Sequence, residues 1–230
     1  MYILWFFIGT IVGSFLCLVA DRLPRQQSIL YPGSHCSFCG HRLRPQEMIP
    51  ILSIILQKVR CTHCQHKLPL RYLFCEVATG CLFMLFLPVL SMENFWVLFW
   101  VLSSFVLALI DYDTYLVEGK IFLFTGSLLV LSGLLLEMPL HWSHPLIIIA
   151  CFYLLQKLMP DSMGTGDLWV LALWSLFLLM YELLIILLIA SASGILFYGY
   201  QQLRKKNLRE IPFLPFLFLG LCLLQLLKKA

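Results

Sequence analysis

Eight apolar runs punctuate the chain, at Tyr2–Ala20, Tyr72–Leu90, Asn94–Ile110, Ile121–Leu136, Pro145–Leu158, Leu168–Met180, Leu183–Tyr200 and Ile211–Leu227. A bilayer crossing takes about 20 residues in a helix. The fourth to sixth runs are shorter than that, so their helices must extend into flanking polar sequence. The sixth and seventh are parted only by a short break whose one charge is Glu182. The pattern predicts an all-α polytopic membrane protein with about eight transmembrane helices. The long polar stretch after the first run has room for one small module. The expected organisation is a transmembrane helix over residues 1–20, a loop module over 21–71 and a seven-helix membrane core over 72–230.

Composition agrees with that class and excludes a soluble domain. Hydrophobic residues make up 61% and charged residues 12% of the 230, and the mean hydropathy is +0.90; such values belong to integral membrane proteins. The net charge of +4 matters less than its distribution. Eight basic residues lie in the stretch 21–71: Arg22, Arg25, Arg42, Arg44, Lys58, Arg60, Lys67 and Arg71. With eight crossings, Lys120, Lys157, Arg204, Lys205, Lys206 and Arg209 fall on the same side, and only Lys228 and Lys229 face the other. Basic residues collect on the cytoplasmic side. The expectation is therefore a cytoplasmic loop with both chain ends outside. No basic residue precedes the first run, which argues for a retained helix over a cleaved signal.

Within the loop, "CSFC" (Cys36, Cys39) and "CTHC" (Cys61, Cys64) form two C-x-x-C knuckles. Two such turns can aim four thiolates at one tetrahedral zinc ion. A disulfide pair is disfavoured in the reducing cytosol, and no βαβ pattern supports a thioredoxin-like role. A closed four-cysteine site leaves no position for substrate, so the expected metal is structural zinc. His35, His41, His63 and His66 crowd the knuckles and could replace one thiolate. Cys17, Cys75, Cys81, Cys151 and Cys222 lie in apolar runs and read as small buried residues.

The chemistry-bearing residues sit elsewhere. "LALIDYDTYLVEGK" puts Asp111 at the cytoplasmic end of the third helix, and "MGTGDLW" puts Asp167 at the cytoplasmic start of the sixth. Distant in sequence, they match in membrane depth. Paired carboxylates are what an aspartic protease needs: one draws a proton from water, the other protonates the scissile carbonyl. Helix polarity would make Asp167 the base and Asp111 the acid. By itself Asp167 would read as a helix N-cap, and Asp111 as an interfacial residue. Gly164 and Gly166 weigh against that, because they free space and permit unwound backbone near the membrane. A protease needs such room for an extended substrate. Asp113 and Glu118 beside Asp111, with Asp161 before the glycines, could form an acidic rim or be solvated residues of the interface. Glu76 lies about one turn inside the second helix, where a charge marks function or an internal pair. Its candidate partners are a buried polar group, Arg71 or the N-terminus of a substrate.

In this order, the motifs resemble the type IV prepilin peptidases, membrane aspartic proteases of the G-x-G-D kind. "GTIVGSFLCLVADRLPR" resembles the family's opening helix, "SHCSFCGHRLRPQEMIPILS" with "RCTHCQHKLPLRYLFCE" its zinc loop, and "IPFLPFLFLG" its closing motif. The resemblance covers nearly the whole chain. It implies a catalytic pair at Asp111 and Asp167, and cleavage of the basic leader of prepilins or pseudopilins at the cytoplasmic face of a bacterial inner membrane. It also implies N-methylation of the new N-terminus with S-adenosylmethionine, and service to pilus, secretion or competence assembly machinery. Two letters depart from the pattern. Leu116, Val117 and Glu118 stand where the family commonly has Leu-Pro-Asp, and Trp169 stands where it usually has lysine.

Two other classes compete. A transporter with a cytosolic zinc-binding regulatory loop would carry its ionisable residues near the midplane and in repeats, whereas both aspartates here sit at one edge. An assembly factor would use the zinc loop for docking. Nothing in the sequence indicates a nucleic-acid partner.

Overall fold

A computed structural model describes residues 1–159, 164–204 and 210–229. Asp161, Lys205, Lys206 and Arg209, which the charge pattern singled out, lie outside the described residues. The described chain is helical, with α1 (Tyr2–Arg22), a 3-10 turn (Pro45–Met48), α2 (Leu52–Leu56), α3 (Arg71–Phe86), α4 (Met92–Thr114), α5 (Gly119–Leu135), α6 (Ser143–Leu158), α7 (Thr165–Trp174), α8 (Met180–Leu203) and α9 (Leu214–Leu227). All but the short α2 fall on the eight apolar runs. Three of them, α1, α4 and α8, are long and apolar enough to cross a membrane by themselves.

The chain packs as two units that divide at Leu98, so α3 goes with α1 and the loop, not with the later helices. Glycine explains this. A Cβ on Gly9 would lie 2.7 Å from the Thr79 carbonyl oxygen, and one on Gly13 would lie 1.9 Å from Thr79 Oγ1. From the other side, a Cβ on Gly80 would lie 2.7 Å from the Phe6 ring. Helices in lipid gain little from the hydrophobic effect, so small residues that admit close backbone approach drive their association. Contacts that rise along α1 fall along α3, which makes the pair antiparallel. At the end of α1, the buried Arg22 donates to the carbonyls of Ser28 (3.0 Å) and Pro32 (2.7 Å) and folds the loop's first residues over the helix end.

In the second unit the short α7 is largely enclosed, with Asp167, Leu168, Val170, Leu171, Ala172 and Trp174 all buried. Trp174 meets Trp100 of α4 edge to face at 6.3 Å. Gly126 of α5 admits Leu173, and Gly220 of α9 approaches the Ile186 carbonyl of α8. The far end of the unit is tied by Lys228 Nζ to Glu182 Oε1 at 2.7 Å. His144 Nδ1 pairs with the Leu178 carbonyl there at 2.9 Å.

Of the cysteines read as buried, Cys17 and Cys75 are, but Cys81 and Cys151 are exposed and Cys222 is half-buried. An apolar run does not reveal which of its faces points outward, and a thiol is tolerated against an apolar surrounding.

Candidate active site and metal centre

Asp111 ends a stretch of α4 that is buried from Phe105 through Ile110 with one break, and is itself 5% exposed. Asp167 is 9% exposed. It is not a cap: the N-cap of α7 is Gly164, and Asp167 is the third residue of the helix. The carboxylate turns back over Gly164, where a Cβ would lie 3.3 Å from Asp167 Oδ2. Asp167 lies within electrostatic reach of Asp111. The two aspartates that the topology placed at one depth are thus brought together.

Gly166 serves a different purpose from open space. A Cβ there would sit 2.3 Å from Val117 Cγ2, so the missing side chain admits the α4–α5 loop against the start of α7. Val117, one of the unexpected letters, is the residue that fills the gap. Asp113 is exposed, Glu118 half-buried, and Trp169, the other unexpected letter, is 55% exposed on α7.

A third element enters that the side-chain reading missed. Leu214, the first residue of α9, donates its N–H to Asp111 Oδ2 at 3.0 Å, with the Phe213 backbone beside it. The first N–H groups of a helix lack partners within it and are aimed at anions. Pro215, in the first turn of α9, was the available signal, because proline marks helix starts. The closing motif therefore supplies backbone donors to the dyad, not side chains.

Glu76 belongs to the first unit and is occupied there. It is 4% exposed, its Oε2 accepts the Ile51 N–H at 2.7 Å, and Ser14 of α1 bonds to it as well. Ile51 has a φ of 61°, unusual for a β-branched residue, and Glu76 pins that strained turn to α3.

The loop folds as two matching knuckles. His35 bridges Arg42 and Arg60 bridges Lys67 in antiparallel fashion. Within each, the residue after the second cysteine takes a positive φ: Gly40 at 70° and Gln65 at 57°. The Sγ atoms of Cys36, Cys39, Cys61 and Cys64 all lie within 4.8 Å of one another, and the Cys36–Cys64 pair is at 3.8 Å. Four sulfurs about 2.3 Å from a tetrahedral zinc ion stand about 3.8 Å apart, so the set could hold zinc. Backbone N–H groups of Phe38 and Cys39 pull the Cys36 thiol down to about 7. The histidines are used for packing: Phe38 stacks on His66 at 3.4 Å and His41 on His63 at 4.9 Å, each ring pair crossing between knuckles. Glu47 ties the 3-10 turn to the second knuckle by accepting the Arg44 N–H at 2.7 Å and the Thr62 hydroxyl, and the two bonds, the Arg44 N–H foremost, hold its carboxyl below the ordinary range. Beside these residues lies a cavity of about 460 Å³ lined by His41, Arg44, Glu47, Ser53, Gln57 and His63.

Residues 7–90 match the family described as Bacterial Peptidase A24 N-terminal domain. Among curated relatives, the chain is 30% identical to a prepilin leader peptidase/N-methyltransferase of Bacillus subtilis, over 70% of this chain and 67% of that protein. One from Pseudomonas putida is 30% identical over 91% of this chain and 85% of its own length. One from Myxococcus xanthus is 34% identical over 82% of this chain, though only 59% of that longer protein is covered. No solved structure matches the chain significantly.

Proposed function

We propose, since the chain belongs to the prepilin leader peptidase/N-methyltransferase family, that it is a membrane aspartic endopeptidase. Its substrates are prepilins or pseudopilins, whose basic leader it removes. The observation that carries this reading is the pair of buried carboxylates, Asp111 and Asp167, gathered at one end of the second unit. Such a pair hydrolyses a peptide bond by sharing one proton between an acid and a base.

The donors around the dyad support roles opposite to those that helix polarity alone suggests. Asp111 accepts the Leu214 N–H, and donors fixed on one carboxylate favour its charged form as the base that takes a proton from the attacking water. Asp167 then donates its proton to the scissile carbonyl. In this reading the helix that bears most directly on Asp111 is α9, whose first N–H it accepts, not its own. The two groups titrate as a coupled unit.

Around this centre we place eight crossings, α1 and α3 through α9, in a bacterial inner membrane, with the loop and the dyad on the cytoplasmic side. The basic-residue bias supports the orientation. In α7 the 10 residues rise about 15 Å, so Ser175–Leu179 completes its path. Cys36, Cys39, Cys61 and Cys64 would hold a structural zinc ion. S-adenosylmethionine, where methylation occurs, supplies the methyl group for the new N-terminus. Asp113 in the last turn of α4 and Glu118 just before α5 form an acidic approach for the basic leader, while Gly164 keeps a side chain off the Asp167 carboxylate. Pilus, secretion or competence machinery would consume the product. The transporter alternative gains nothing from the relatives.

Incubating the protein with a prepilin and weighing the product tests the proposal. Loss of the leader mass is expected from wild type, and a further 14 Da, the mass of one methylene added by methylation, from the transferase. Asp111→Asn and Asp167→Asn should each abolish cleavage; substantial residual cleavage in either would remove the dyad from the mechanism.

A further inference from the structure

The stretch Ile211–Leu214 takes part in two things. Its last residue donates to Asp111, while Ile211 and Phe213, with Phe216 of α9, form one wall of a cavity of about 420 Å³. The opposite wall is one stripe of α8: Ser191, Gly194, Ile195 and Tyr198. That i, i+3, i+4, i+7 spacing is a single helix face. The groove's lining is apolar, and Tyr198 points its hydroxyl away to Gln202 Nε2 at 2.7 Å.

Gly194 shows that the groove is a built feature of the α8–α9 seam. At Gly220, across the same seam, a Cβ would come within 2.9 Å of the Ile186 carbonyl oxygen, so packing alone requires glycine there. A Cβ at Gly194 would meet nothing nearer than Phe216 at 3.7 Å, an ordinary contact. Packing does not require glycine at that position, and a longer side chain would fill the groove.

We propose that this groove seats the apolar segment that follows the scissile bond of the substrate. The proposal rests on the peptidase reading above. The family resemblance implies a substrate whose basic leader water solvates and whose continuation beyond the scissile bond is an apolar helix that water does not. A peptide held at Asp111 therefore needs an apolar path leading away from the carboxylates on one side. The groove begins one residue from the Leu214 N–H and follows α8 for seven residues, about 10 Å at the helical rise. That length takes about two turns of a substrate helix.

The test uses the full chain in membranes, carrying Asp167→Asn to hold substrate uncut, with p-benzoylphenylalanine in place of Tyr198, an aromatic residue already lining the groove, and a prepilin as the probe. Irradiation is expected to give an adduct with the prepilin, mapping by mass to the first two turns beyond the scissile bond. The same label at Leu196, on another face of α8 and 75% exposed, should give no prepilin adduct. Adducts with lipid alone at 198, or equal prepilin labelling at 196, overturn the proposal. An independent arm leaves the dyad intact: Gly194→Leu, which suits a helix interior, should raise KM for the prepilin on the order of tenfold with kcat little changed. An unchanged KM overturns it too. Wild-type cleavage of the same prepilin is measured alongside, so failure of the peptidase reading is told apart from failure of the groove.

Discussion

Gly166 has no side chain because Val117 occupies the space. Gly166→Ala would force Val117 and its loop away from the start of α7, at a cost of about 1–3 kcal/mol for overpacking. Because that loop follows directly from the end of α4, which carries Asp111, and packs on the start of α7, which carries Asp167, the displacement should spread the dyad. A misplacement of about 1 Å can cost about a hundredfold in rate. We expect kcat on a prepilin to fall by one to two orders of magnitude in Gly166→Ala, and to recover in part when Val117→Gly is added. Absence of recovery would mean that the glycine acts otherwise, for instance by touching substrate. At this scale the sequence was legible where a charged letter interrupts an apolar run, which is why Asp111 and Asp167 stood out. It was silent on the Leu214 N–H, since a backbone donor carries no letter of its own. It was ambiguous at Glu76, where one letter serves a pin or a binding group equally well.

The helices themselves were readable because most of the apolar runs are bounded by charges, and all eight runs became helices. Their ends were less so. The predicted run Leu168–Met180 yields a helix that begins at Thr165 and ends at Trp174, because the chain leaves helical geometry through Ser175–Leu179 with apolar residues still in place. Hydropathy records composition, not hydrogen bonding. Pairing was the larger loss: α3 packs on α1 through Gly9, Gly13 and Gly80, a G-x-x-x-G spacing present in the letters but meaningful only once its partner is known. Gly13 is the tightest point, with both Thr79 Oγ1 and the Cys75 carbonyl oxygen inside contact distance of a Cβ. A carbonyl cannot rotate away as a side chain can. Gly13→Ala should therefore destabilise the pair by about 1–3 kcal/mol, and Gly13→Leu by more. Thermal unfolding in detergent measures this, at about 2–4 °C of Tm per kcal/mol for a chain of this size. An unshifted midpoint would show that the helices can separate without loss.

At the scale of the whole molecule, the four-cysteine module was the most legible part, because C-x-x-C repeated in a basic loop has few other physical meanings. The module's internal symmetry was not read, although "HCSFCGHR" and "RCTHCQHK" align letter by letter; the pairing of Phe38 with His66 and His63 with His41 appears only when the knuckles face each other. That arrangement predicts how the loop responds to loss of metal. Apart from the stacked rings, Glu47 and Arg22, little apolar burial holds the knuckles: Cys36, Ile54 and Cys61 are the buried apolar residues of the stretch 23–70. A structural zinc ion contributes about 10–16 kcal/mol in small metal-nucleated domains, far more than those contacts can replace. The membrane helices, by contrast, hold their backbone bonds within themselves and need no ion. Stripping metal with a chelator should expose the four thiols to alkylation and remove amide-exchange protection across residues 34–68. Protection in α4 and α9 should stay intact. Cys36→Ser should reproduce the exchange pattern without chelator. Retention of protection in 34–68 after the metal is measured as gone would show that stacking alone folds the knuckles, and the zinc assignment would lose its structural role.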